Sequence, residues 1–94
     1  MAQTIEDEEV EVINILGKPY NVILFNDAVH SFDEVLNQLV AALKCSATYA
    51  QKLMMTAHTS GEVVVFTGNY ERCEHVDSIL AGPPASLRTS IQEA

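Results

Sequence analysis

The sequence predicts an α+β domain in which a small antiparallel three-stranded sheet carries three helices on one face, in the order β-α-α-β-α-β, behind a flexible acidic N-terminal arm. Three observations lead there. Two short runs rich in β-branched and aromatic residues, YNVILF at 20–25 and EVVVFT at 62–67, read as strands. Between them lie two successive helical repeats, each preceded by a serine able to cap it. After the second run comes a third capped repeat, closed by Gly82-Pro83-Pro84 and followed by an extended segment. Ninety-four residues with 48% apolar content suffice for one core and not for two. Residues 1–17 are therefore expected to be an extension, and 18–94 a single domain.

The first strand follows the punctuation Gly17-Lys18-Pro19 and ends at Asn26-Asp27. Ser31 then precedes Phe32-Asp33-Glu34, an S-x-x-E capping box, and Phe32, Val35, Leu36, Leu39, Val40 and Leu43 recur at helical spacing. Ser46 caps a second helix through about Ala57, with a buried stripe of Ala50, Leu53, Met54 and Ala57. Gly61 supplies the reversal into the second strand. Asn69 caps the third helix, which runs to about Leu80 with Glu71 in its first turn, where a carboxylate suits the helix dipole. Leu87 to Gln92 is extended and closes the sheet. No internal repeat interrupts this order.

Composition narrows the function. A formal charge of −8 with only five Lys and Arg residues argues against nucleic acid, since phosphate binding needs a basic surface. Five carboxylates, Glu6, Asp7, Glu8, Glu9 and Glu11, crowd the start of the chain with no basic residue among them, the pattern of a solvated arm. No apolar run reaches the roughly 18 residues that span a bilayer, and an acidic beginning is unlike a signal peptide, so a cytoplasmic protein is expected, with no membrane partner. Cys45 and Cys73 sit in neither metal-binding nor redox spacing and read as small apolar residues. A thiol nucleophile or a zinc site built with His30, His58 and His75 lacks every usual ligand or activation signature. No enzyme and no cofactor are expected, and nothing suggests an oligomer.

One polar cluster stands out. Asn26, Asp27 and His30 leave the first strand together, while His58 leaves the second helix. An amide oxygen, a carboxylate and a neutral imidazole nitrogen all accept hydrogen bonds, which suits a ligand offering several N–H donors and positive charge, such as an ammonium group. The competing reading is local: Asn-Asp after a strand is common turn chemistry, and His58 is a satisfied histidine near a helix end.

The string YNVILFNDAVHSFDEV, then LMMTAH, the following Gly61 and valine strand, and the closing LRTSIQEA together resemble the ClpS adaptor family, from about Tyr20 to Ala94. The resemblance implies a protein that binds N-degron substrates, those with a free N-terminus beginning with Leu, Phe, Tyr or Trp, and delivers them to a ClpA- or ClpC-type AAA+ unfoldase without catalysing a reaction. Carried over by position, Asn26, Asp27 and His58 contact the α-amino group, and acidification that protonates His58 is expected to weaken binding. Phe32, Val35, Met54, Ala57 and Leu87 line the pocket for the first side chain. Ala28 and His30 fall at its rim. Glu71 and Glu74 fall on the helix that faces the unfoldase, where the default reading of an exposed carboxylate is a solvated helix face. The leading arm corresponds to the segment engaged during hand-off, and the compartment implied is the bacterial cytoplasm or the plastid stroma.

This chain departs from the family pattern at several points. A second acidic residue after Asn-Asp is Ala28, the usual Thr-Pro is His30-Ser31, the gating Met is Phe32, a pocket Val is Ala57, and a Lys of the unfoldase-facing helix is Val76. Ala57 is expected to give room while Phe32 narrows the entrance. Two alternatives stay open: an interaction domain of the same fold without an amine pocket, as in the C-terminal domain of the ribosomal stalk protein, and a ClpS-like regulator that binds the unfoldase but no N-terminal residue.

Overall fold

The computed structural model describes residues 18–94; the acidic arm expected over residues 1–17 lies outside them. Strand β1 spans Tyr20–Phe25, helices α1 and α2 span Phe32–Leu43 and Ala47–Ser60, β2 spans Glu62–Gly68, α3 spans Tyr70–Leu80 and β3 spans Thr89–Glu93. The sheet is antiparallel throughout, with strand order β2-β1-β3, so β1 is central. Its residues Val22, Ile23 and Leu24 are all buried, which accounts for an apolar run where a one-faced strand would alternate.

Local chemistry sets the helix ends. Ser31 and Glu34 form a reciprocal capping box: the Ser31 hydroxyl accepts from the Glu34 N–H at 3.2 Å, and the Glu34 carboxylate accepts from the Ser31 N–H at 2.8 Å. Ser46 and Asn69 cap α2 and α3 by accepting from Tyr49 and Arg72 N–H at 3.1 and 2.8 Å. Gly61 ends α2 at φ 92°, a left-handed conformation that a side chain disfavours.

Helix α3 packs against all three strands, and α1 bridges α3 and α2. The shared core holds Val22 and Leu24 of β1, Leu39 of α1, Leu53 of α2 and Leu80 of α3. Cys73 is fully buried in it. Val76 is likewise a core residue, which explains its apolar identity.

Four details differ from the sequence reading. Phe32, counted in the apolar stripe of α1, is 59% exposed, whereas Gln38 is buried. The amide of Gln38 donates to the carbonyls of Ile79 and Gly82, both at 2.8 Å, so a polar residue enters the core by satisfying the end of α3 and the turn beyond. Helix α2 continues one turn past Ala57 to Ser60. The closing strand begins at Thr89 rather than Leu87, because Ser86 adopts φ 53° and the Leu87 N–H donates to the Leu80 carbonyl at 2.9 Å instead of joining the ladder. Opposite β1, the pairing steps from Val22–Phe66 to Ile23–Val64, leaving Val65 as the extra residue of a β-bulge.

Candidate functional site

A cleft opens where β1 ends, between the first turn of α1, the last turns of α2 and the segment before β3. Its empty space is about 410 Å³ with the open mouth included, and about 50 Å³ of it is cavity proper. Asn26 and Asp27 enter it from β1, Phe32 and Val35 from α1, Met54, Ala57 and His58 from α2, and Leu87 from the final segment. The three candidate amine acceptors and the five candidate pocket residues thus line one cavity. Met54, Ala57 and Leu87 are buried and form its floor; Asn26 and His58 are exposed at its mouth.

Two backbone bonds hold the mouth together. The Asn26 N–H donates to the Gly61 carbonyl at 2.9 Å, tying the end of β1 to the end of α2 beside His58, and the Phe25 N–H donates to the Arg88 carbonyl at 3.0 Å. Phe32 stands edge-on to the His58 ring, centroids 6.4 Å apart and planes at 82°, an arrangement that favours aromatic pairs.

Asp27 is both a turn residue and a charge. Its Oδ1 accepts from the N–H groups of Val29 and His30 at 2.9 and 3.1 Å, and both of its oxygens lie 3.0 Å from Nδ1 of His30. Burial opposes ionisation of this carboxyl, but the bonds from His30 and Val29 and the nearby imidazole charge outweigh it and lower the pKa from 3.8. The other nitrogen of His30, Nε2, meets the Ala85 carbonyl. The pairing with Asp27 raises the imidazole pKa from 6.5, against an opposing effect of burial and with support from Ala85 and the Glu34 charge. Asp27 Oδ2, whose single partner among the described residues is His30 Nδ1, keeps lone-pair capacity.

Of the two rim positions, His30 lines the cleft and Ala28 is exposed outside it. Leu24 and Phe25 also line it and were not among the candidates; their place immediately before Asn-Asp was the available signal. Phe25 is covered on one side by the Arg88 guanidinium, 4.9 Å from the ring centroid. The sequence offered no sign that His30 would reach Ala85.

Glu71 and Glu74 are exposed on α3, away from this cleft. Glu71 borders a second groove of about 750 Å³ between the end of α1, β2 and α3, together with Lys44, Phe66 and Arg72. The Glu74 charge raises the pKa of the Tyr70 phenol. Burial pushes the Cys73 thiol above its ordinary 9.0, and its Sγ lies 3.3 Å from the Tyr20 carbonyl, so this cysteine is a core residue and no activated nucleophile. Among the described residues no three His, Cys, Asp or Glu side chains gather in a way that could hold a metal ion, and no helix is long and apolar enough to cross a membrane.

Comparison with known proteins fits this geometry. The family model described as ATP-dependent Clp protease adaptor protein ClpS matches residues 17–82. The solved structure of Agrobacterium tumefaciens ClpS2 bound to L-phenylalaninamide is similar at a TM-score of 0.75 and 25% identity, over 82% of this chain and 98% of that one. Among curated proteins, the E3 ubiquitin-protein ligase UBR1 of Drosophila melanogaster is 33% identical over 67 residues, 71% of this chain, and the human E3 ubiquitin-protein ligase UBR2 is 31% identical over 61 residues, 65% of this chain. The matched segment is 4% of the length of each ligase.

Proposed function

Because the chain belongs to the ClpS family of ATP-dependent Clp protease adaptors, we propose that its cleft captures polypeptides by a free α-amino group and a bulky hydrophobic first residue and presents them to a ClpA- or ClpC-type unfoldase. The observation that carries this reading is the cleft itself: acceptors Asn26, Asp27 and His58 at the mouth, and apolar walls from Phe32, Val35, Met54, Ala57 and Leu87 behind them. L-Phenylalaninamide, the ligand of the similar Agrobacterium protein, has the chemistry of such a terminus, with a primary amine, an aromatic side chain and an amide in place of the next peptide bond.

The energetics select free termini. An α-ammonium offers three N–H donors to three acceptors, whereas an internal or acetylated residue leaves acceptors desolvated and unpaired at about 1–3 kcal/mol each. A fully buried Leu or Phe side chain adds about 1.5–3 kcal/mol. No bond is made or broken. Glu71 and Glu74, exposed on α3, belong in this reading to the unfoldase-facing surface, residues 18–94 to the adaptor core and residues 1–17 to the arm used in hand-off. Similarity to a short segment of two ubiquitin-protein ligases is in keeping with a module that selects proteins rather than one that transforms small molecules.

The test is a fluorescence-anisotropy titration with short peptides beginning Leu, Phe, Tyr, Trp, Ile, Ala and acetyl-Leu. Binding of Leu, Phe, Tyr and Trp termini with loss for acetyl-Leu is expected; equal binding of Leu and acetyl-Leu, or none at all, overturns the reading. A second reading, a partner-binding module without amine recognition, has one observation in its favour: the Asp27 carboxylate already holds His30 and two backbone N–H groups. The acetylated peptide separates the two.

A further inference from the structure

His30 faces hydrogen-bond acceptors on both sides. Its Nδ1 lies 3.0 Å from each oxygen of the Asp27 carboxylate, and its Nε2 meets the backbone carbonyl of Ala85. Neither partner has a proton to give. A neutral imidazole carries one N–H and one lone pair, so either tautomer would set a lone pair against an acceptor oxygen; only the imidazolium donates from both nitrogens.

We propose that His30 is a positioning residue of the amine site, a fixed imidazolium that clamps Asp27 to the Ala85 carbonyl and so holds the charged mouth of the cleft against the segment that carries its Leu87 wall. The proposal rests on the reading of the cleft as an amine site. Its consequence is a division of labour within one carboxylate: Oδ1 takes the two backbone N–H groups of the turn, both oxygens share the imidazole Nδ1, and Oδ2, free of the turn, has a lone pair to offer an incoming ammonium. Side chains on the neighbouring elements are compatible with a cation here. The carboxylate of Glu34 in α1 adds a favourable charge, His58 of α2 lines the same cleft, and the Arg88 cation is turned over the Phe25 ring. With a ligand bound, the two carboxylates Asp27 and Glu34 balance the two cations, imidazolium and α-ammonium.

The sign of the pH dependence follows. A histidine whose folded pKa is raised stabilises its arrangement fully below the ordinary value of 6.5 and loses that contribution as pH rises through the raised value. Amine binding should therefore lose the clamp on the alkaline side. The peptide amine also deprotonates there, near roughly 7.7–8.0, so the informative quantity is the ratio of affinities of the unmodified chain and His30→Gln for one Phe-initiated peptide across pH 5.5–9. Gln retains an N–H donor but cannot bridge as a cation, and the change in the peptide amine is common to both chains and cancels. The ratio is expected to be about tenfold at pH 6 and to approach one as pH rises through the His30 midpoint; a ratio that is constant with pH, or one throughout, overturns the clamp.

A ligand-free measurement stands beside it. Long-range 1H–15N spectra of the His30 ring should show both nitrogens protonated at pH 6.5 and a midpoint above that value which moves down in Asp27→Asn. A neutral tautomer at pH 6.5, or a midpoint indifferent to Asp27→Asn, overturns the proposal. If the unmodified chain binds no free-amine peptide at any pH, the amine-site reading fails and these spectra alone decide whether His30 is the clamp.

Discussion

Phe32 and Ala57 set the shape of the cleft from opposite ends. Ala57 is nearly fully buried and Phe32 is 59% exposed at the mouth, leaning on His58. A short side chain at 57 leaves depth that a larger one would fill, while an aromatic ring at 32 stiffens an entrance that a flexible side chain would leave adaptable. In Ala57→Val, affinity for Phe- and Trp-initiated peptides is expected to fall by about tenfold, since overpacking a tight floor costs about 1–3 kcal/mol, with Leu less affected. Phe32→Met should narrow the difference between Leu and the aromatic termini. Titrations of both variants check this, and unchanged Leu and Phe affinities in both would remove these side chains as determinants of preference.

At the scale of elements, the site depends on how α2 stops. Gly61 ends the helix three residues after His58, and its carbonyl receives the Asn26 N–H, so one residue both reverses the chain and joins the two acceptor-bearing segments. A Cβ there would meet nothing within 4 Å, so the cost of a side chain is conformational alone. Gly61→Ala is expected to destabilise the fold by about 1–2 kcal/mol through the positive φ, read as a lower urea midpoint at unchanged m-value. A loss under about 0.3 kcal/mol would mean that the turn relaxes. Gln38 plays a parallel part on the other side: its amide fixes the end of α3 and the Gly82 carbonyl, from which the chain runs on to Ala85 and Leu87.

At the scale of the molecule, the cleft and the exposed carboxylates of α3 occupy separate surfaces, and five of the thirteen carboxylates lie in the first eleven residues of the chain. In the proposed function, binding and hand-off are then separable. Removing residues 1–14 is expected to leave peptide affinity within about twofold, because Asn26, Asp27, His58 and the apolar walls of the cleft all lie between residues 24 and 87, and to slow degradation of an N-degron reporter by the unfoldase and its protease. Equal loss of binding and delivery would show that the arm serves the cleft.

The sequence by itself determined the elements and their order, because the signals are local: Ser31 with Glu34, Ser46, Asn69 and Gly61 act on backbone groups within a few residues, and the three helices and the second strand begin where those signals lie. It also supplied the residues of the cleft, through a chemical pattern at Asn26, Asp27 and His58 and through family resemblance for the apolar wall. Only the tertiary structure decided the strand order β2-β1-β3, the bulge at Val65 and the late start of β3, since each depends on which carbonyl a distant N–H finds. The same is true of Gln38 inside the core, Phe32 outside it and His30 against Ala85, 55 positions along the chain. Periodicity sorts side chains by polarity, whereas burial of a polar group depends on acceptors brought from elsewhere in the fold, and these become neighbours only when the core closes.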